Sequence, residues 1–192
     1  LSELTRVARG AKDSLFLYYA GHGVLLPDAG TAFVPYDASN SAPEDELLTV
    51  TKLARVLETN FQGKRVFLFG DACHSGGLLE AAMRLNAAGI PTIVLASAKA
   101  AEESTGNWTF TESLLAALGD ANPSPACLGE ENLAALASLV RERMRRVEGQ
   151  EIEFRTSRVG PDFRLGPTCR DPIQASSPHF GFRTERRLPR SI

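Results

Sequence analysis

Three short apolar runs constrain this chain more than any other feature: Asp13–Tyr19, Lys64–Phe69 and Thr92–Ala96. Within each, hydrophobic side chains follow one another without alternating with polar ones. That pattern belongs to strands buried on both faces, and such strands form parallel sheets covered by helices on both sides. The intervening stretches have helical spacing. Leu53, Val56, Leu57 and Phe61 repeat within Thr49–Phe61, and Leu78–Ala88 runs as a helix to Gly89. Strand and helix in alternation predict an α/β fold, a three-layer sandwich around a mainly parallel sheet. Ser2–Ala11 is expected to be the end of a helix, and Thr31–Pro35 a further strand or strand-like return. Thr109-Phe-Thr-Glu112 has the form of a capping box opening a helix over Phe110–Leu118. Glu131–Val147 should bury Leu133, Leu136, Val140, Met144 and Val147, and Glu151–Arg155 should add a last strand. Residues 97–108, 119–130 and 39–46 are expected as loops. Periodicity ends near Gly160, so one domain over residues 1–158 and a disordered tail over 159–192 are predicted.

Composition excludes several function classes. A hydrophobic content of 43% and a charged content of 23% are ordinary for a globular domain of 192 residues. With a net charge of −2 and no basic patch interleaved with aromatics, nucleic acid is not an expected partner. The apolar runs fall far short of the roughly 20 residues that cross a bilayer, so no membrane segment is expected. Cys73, Cys127 and Cys169 are few, odd in number and widely spaced. They form neither a disulfide framework nor a zinc pattern, which fits a reducing cytoplasm. The chain begins at Leu1 without an initiator methionine, and residues preceding it are expected.

Two of the apolar runs end abruptly in glycine-flanked polar residues. One continues Tyr18-Tyr-Ala-Gly-His-Gly23, the other Gly70-Asp-Ala-Cys-His-Ser-Gly-Gly77. In open α/β sheets, catalytic groups collect at the carboxyl ends of the strands. A thiol and an imidazole delivered there make a nucleophile and its proton acceptor. The thiol needs such a neighbour, because at neutral pH only a few per cent of an ordinary cysteine is thiolate. His22 and Cys73 are therefore the candidate catalytic pair. His74 adjoins the nucleophile on a tight turn and is expected to be structural. A cysteine-nucleophile α/β-hydrolase would need a histidine after Cys73, for which the tail offers only His179. A dinucleotide-binding domain is disfavoured, since no G-x-G-x-x-G follows a strand. A catalytically silent scaffold is the alternative from a different class; loss of the Cys or the His would announce it, and both are present.

Four stretches resemble the caspase-like peptidases (peptidase C14), in particular their metacaspase and bacterial branch. Tyr18–Gly23 is similar to the family's histidine motif, Phe33-Val-Pro-Tyr-Asp37 to the stretch after it, and Asp71–Gly77 to the cysteine motif. Ile93–Ser97, with Glu103-Ser104 and Phe110-Thr111, is similar to the third core strand and the following helix. His22 precedes Cys73 by 51 residues, against roughly 50 in caspases. The resemblance covers about residues 1–155 and implies a caspase-like sandwich whose N-terminal strand and helix are missing. It implies a cysteine endopeptidase acting on protein or peptide substrates through a Cys73–His22 dyad. The backbone N–H groups of Gly23 and Cys73 would form the oxyanion hole, and Asp71 and Ser97 would contact substrate. Animal caspases carry Gln at the position of Asp71 and prefer an acidic P1 residue. A carboxylate there, as in metacaspases, implies cleavage after Arg or Lys. The alternative for Asp71 is a cap on the helix beginning near Ser75. No clear counterpart of the Trp–Arg pair that shapes the caspase substrate groove is evident after Ser97. Metacaspases commonly bind calcium, for which Asp37 and Glu44-Asp-Glu46 could offer oxygens. Solvated acidic loops are far commoner, so no cofactor and no metal site are expected.

Overall fold

The computed structural model describes residues 1–36, 38, 43–119 and 133–160. In chain order these form α1 (Ser2–Gly10), β1 (Ser14–Ala20), β2 (Gly23–Leu26), β3 (Gly30–Phe33), β4 (Leu48–Thr49), α2 (Val50–Asn60), β5 (Arg65–Asp71), α3 (Leu78–Ala87), β6 (Thr92–Ala96), α4 (Thr109–Gly119), α5 (Leu133–Glu148) and β7 (Glu153–Ser157). The main sheet has the order β1-β5-β6-β7. Its first three strands are parallel, as the apolar runs predict, and β7 runs antiparallel to β6. Register places Ala20 opposite Asp71 and Gly70 opposite Ala96, so three strands finish along one edge.

Successive strand residues face opposite sides, which sorts the core into two. Val66 and Leu68 of β5 face α1, α2 and α3, packing with Leu53, Leu57, Ala81 and Leu85. Phe67 and Phe69 face α4 and α5, packing with Phe110, Leu114, Leu136, Val140 and Met144. Asp71 continues the alternation of Phe67 and Phe69 and so belongs to the α4 side. The Phe67 ring also stacks on Phe16 with centroids 4.0 Å apart. Phe67 is 1% exposed and Phe16 55%. Replacing Phe67 by alanine should therefore cost about 3–5 kcal/mol, and Phe16→Ala much less. Denaturant titration of the two variants checks the difference.

Several sequence expectations are corrected. Thr31–Pro35 is realised as β3, but in a second, antiparallel sheet of order β2-β3-β4 that the hydrophobic pattern did not predict. Its strands are only two to four residues long, too short for periodicity to register. Val147 does not join Met144 inside; it is 57% exposed, on the outer side of the last turn of α5. Thr109 and Glu112 form no capping box. Thr109 Oγ1 hydrogen-bonds Glu148, and the Glu112 amide donates to Trp108 O at 2.9 Å. By contrast, α2 starts as expected, with Thr49 Oγ1 accepting from the Lys52 amide at 3.1 Å. Among the described residues no strand pairs with the outer edge of β1. Val159 packs against the α4–α5 core, and the remainder of the expected tail, from residue 161, lies outside the described residues.

Candidate active site

The turn after β1 is tied down on both sides of His22. The Gly21 amide donates to Asp71 O at 3.1 Å, and the Val34 amide donates to His22 O at 3.0 Å. The Tyr19 hydroxyl reaches both His22 O, at 2.8 Å, and Val34 O, at 2.9 Å. Burial raises the Tyr19 pKa above the ordinary phenol value, so the hydroxyl remains a donor. The imidazole itself is exposed and makes no hydrogen bond to another described residue. The next residue explains why a glycine follows. A Cβ on Gly23 would stand 1.9 Å from the carbonyl oxygen of Cys73. Backbone meets backbone there, bringing the two turns into contact.

The turn after β5 is held from beneath. Ser97 is fully buried; its Oγ accepts from the Ala72 amide at 3.1 Å and lies 3.4 Å from Ala72 O. His74 sits in the left-handed region at φ 59°. Its amide donates to Glu102 O at 2.8 Å, its Nδ1 lies 3.0 Å from Ala100 O, and its carbonyl accepts from Thr31 Oγ1 at 3.1 Å. His74 thus joins the Cys73 turn to β3 and to the loop after β6, the structural role expected of it. The paired glycines after Ser75 answer to packing as well. A Cβ on Gly76 would lie 2.4 Å from Ala100 N, and one on Gly77 2.1 Å from Thr31 Oγ1.

These turns bound a cleft of about 160 Å³ lined by Gly21, His22, Asp71, Ala72, Cys73, Ser104, Gly106 and Trp108. Cys73 is half-buried. Its Sγ receives the Ser104 amide at 3.2 Å and lies 3.8 Å from the Ser104 carbonyl oxygen. Asp71 is 8% exposed and serves the first turn of α4: its Oδ2 accepts from the Thr111 amide at 3.1 Å and from the Thr111 hydroxyl. Tyr18 in turn hydrogen-bonds Thr111 Oγ1. Since the Thr111 hydrogen goes to the carboxylate, the Tyr18 hydroxyl must donate to Thr111. Burial, and then the charge of Asp71, raise the Tyr18 pKa, although the Thr111 contact opposes them. Oδ1 of Asp71 has no hydrogen-bond partner among the described residues.

The structure therefore gathers His22, Cys73 and Asp71 around one cleft, with the Gly23 backbone pressed against Cys73. Ser97 is not among them. It supports Ala72 from below and does not reach the cleft, so the expected substrate contact is corrected to a structural one. Asp71 is a helix cap, but of α4 rather than of the turn at Ser75. Three cleft residues carry no functional mark in the sequence: Ser104, Gly106 and Trp108. Ser104 stands in a stretch that resembles the family, and its amide, not its side chain, meets Cys73. Trp108 is the single tryptophan of the chain, 56% exposed and at φ 60°. The signal available in the sequence was the single tryptophan in the loop after a buried strand; its exposure and its sparsely populated backbone conformation emerge only in the fold. Of the proposed calcium ligands, Asp37 lies outside the described residues. Among those described, no three His, Cys, Asp or Glu side chains converge as metal ligands.

Comparison with known proteins agrees with this architecture. The family model described as "Caspase domain" (peptidase C14) matches residues 1–163. Metacaspase-7 of Arabidopsis thaliana is 34% identical over 91 residues, covering 43% of this chain and 21% of that protein. The chain thus spans about a fifth of the length of this curated relative. The crystal structure of protein GSU0716 from Geobacter sulfurreducens superposes with a TM-score of 0.54 at 18% identity, over 81% of this chain and 71% of that one. At that identity the likeness concerns the fold alone. With the parallel sheet, the helices on both faces and a match over most of its length, the chain belongs to the caspase-domain family of cysteine peptidases, peptidase C14.

Proposed function

We propose that this chain is an endopeptidase that uses Cys73 as nucleophile and His22 as general base and acid, and cleaves after Arg or Lys. The observation that carries this reading is the cleft in which the imidazole, the thiol and the Asp71 carboxylate share one wall-to-wall space. The Cys73 thiolate attacks the scissile carbonyl carbon, and the oxygen takes up the negative charge within reach of the Gly23 and Cys73 amides. Collapse of the intermediate breaks the C–N bond, and the His22 imidazolium passes its proton to the leaving amine. Water, deprotonated by His22, then attacks the thioester, and Cys73 leaves as thiolate.

The P1 preference rests on Asp71. A half-paired carboxylate at the edge of a cleft attracts a guanidinium or ammonium and repels an acidic side chain. Asp71→Asn keeps an oxygen for the Thr111 amide while removing the charge. Hydrolysis of fluorogenic peptides ending in Arg, Lys or Asp should then show kcat/KM for the basic substrates falling about 30-fold or more. Unchanged selectivity for Arg and Lys would remove Asp71 from the specificity site. Cleavage after Asp alone would keep the dyad and overturn the basic preference. No turnover, with a thiol inert to alkylation, would move the chain to the scaffold reading.

A further inference from the structure

Beyond the cleft, the end of α5 is fastened to the loop that carries Ser104. Glu148, the last residue of that helix, accepts a hydrogen bond from Thr109 Oγ1 at Oε1 and from Asn107 Nδ2 at Oε2, the latter at 3.3 Å. Gly149, at φ 65°, reverses the chain with its amide on Arg145 O at 3.1 Å. Gln150 then points back, and its Nε2 donates to Glu103 O at 2.6 Å. Its Oε1 is buried without a partner among the described residues, a cost that a residue serving only to fill space would not carry. The two side chains grip the loop on either side of Ser104, at Glu103 and at Asn107 and Thr109. From the opposite side, His74 holds the same loop at Ala100 and Glu102. Between these anchors the Ser104 amide is presented to Cys73 Sγ at 3.2 Å.

We propose that Glu148 is a positioning residue for the thiolate: by holding Asn107 and Thr109, with Gln150 on Glu103, it keeps the Ser104 amide on Cys73. The assignment deepens the proposed peptidase reading, in which that thiolate is the nucleophile. Hydrogen bonds from Thr109, and then from Asn107 and Thr105, hold the Glu148 carboxyl below the usual carboxylate range against the opposing effect of burial. It is therefore an acceptor throughout the range in which a cysteine titrates. Glu148 does not line the cleft, so its effect on Cys73 would run through the loop.

The test reads Cys73 alone and needs no peptide turnover. The purified 192-residue chain is alkylated with iodoacetamide over a pH series, and modification of the Cys73-containing peptide is followed by mass spectrometry. Glu148→Ala should move the Cys73 profile to higher pH and slow its alkylation about tenfold below the wild-type midpoint. Glu148→Gln, which keeps an acceptor for Thr109, should restore most of the wild-type profile. A wild-type profile in Glu148→Ala would overturn the proposal, and so would a lowered thermal midpoint with no shift in the profile. Should Glu148→Ala not fold, judged by circular dichroism, Thr109→Val decides: a profile displaced in the same direction supports the proposal, and an unmoved one overturns it. A shifted profile in a chain that cleaves no peptide would leave the positioning role standing and overturn the peptidase reading.

Discussion

Cys73→Ala should abolish peptide hydrolysis, lowering kcat/KM at least roughly ten-thousand-fold, while the fold survives. The magnitude follows from the role proposed for Cys73: removing the nucleophile of a catalytic unit removes covalent catalysis, and only binding and amide donors remain. The fold should survive because the thiol is half-buried and receives one hydrogen bond, from the Ser104 amide at 3.2 Å. Loss of that contact leaves an amide at the edge of an open cleft, where water can serve it, and should cost about 1 kcal/mol or less. Steady-state kinetics and denaturant titration on the same preparation separate the two effects. A large loss of stability would mean that Cys73 is a core residue. Turnover retained within tenfold would mean that another nucleophile does the chemistry.

Gly23→Ala should be nearly as damaging for a different reason. Its Cβ would stand 1.9 Å from the Cys73 carbonyl oxygen, and neither atom belongs to a side chain that can rotate away. The turns carrying His22 and Cys73 must separate, and a displacement of about 1 Å between reacting groups costs roughly a hundredfold in rate. Overpacking of this kind also destabilises by about 1–3 kcal/mol. Gly10→Ala is the control, since nothing lies within 4 Å of a Cβ at the end of α1. It should be neutral in both assays. Equal behaviour of the two variants would show that the contact between the turns is not needed.

Much of the candidate site was legible because its chemistry is encoded locally. β5 and β6 are buried on both faces, and such strands spell out continuous apolar runs; β1 carries a similar run although Phe16 and Tyr18 on one of its faces are exposed. The ends of β1 and β5 are marked by glycine, which assigns His22 and Cys73 to strand termini from the residue order alone. Other features were hidden because their partners are far away in sequence. Thr109 and Glu112 satisfy the local pattern of a capping box, yet Thr109 is drawn to Glu148, and the α4 amide is met by Asp71. Ser97 follows the end of β6 next to the Cys73 turn, but its hydroxyl is taken up by the Ala72 backbone above it. Val147 keeps the helical repeat of Met144 but stands in the last turn of α5, where it is exposed rather than packed in the core.

Residue order alone sets which chemistry the chain can hold: a thiol, an imidazole and a carboxylate, each at or beside the carboxyl end of an apolar strand. It also determined the layered fold, because the period of burial is set by the backbone and is visible over a few residues. Only the tertiary structure decided which groups meet. The parallel register sets Ala20 opposite Asp71 and so brings the His22 and Cys73 turns together. The path of the loop after β6 puts Ser104 and Trp108 at the cleft and leaves Ser97 below it. Those encounters depend on where loops return across the sheet edge, and no local repeat in the chain records that path.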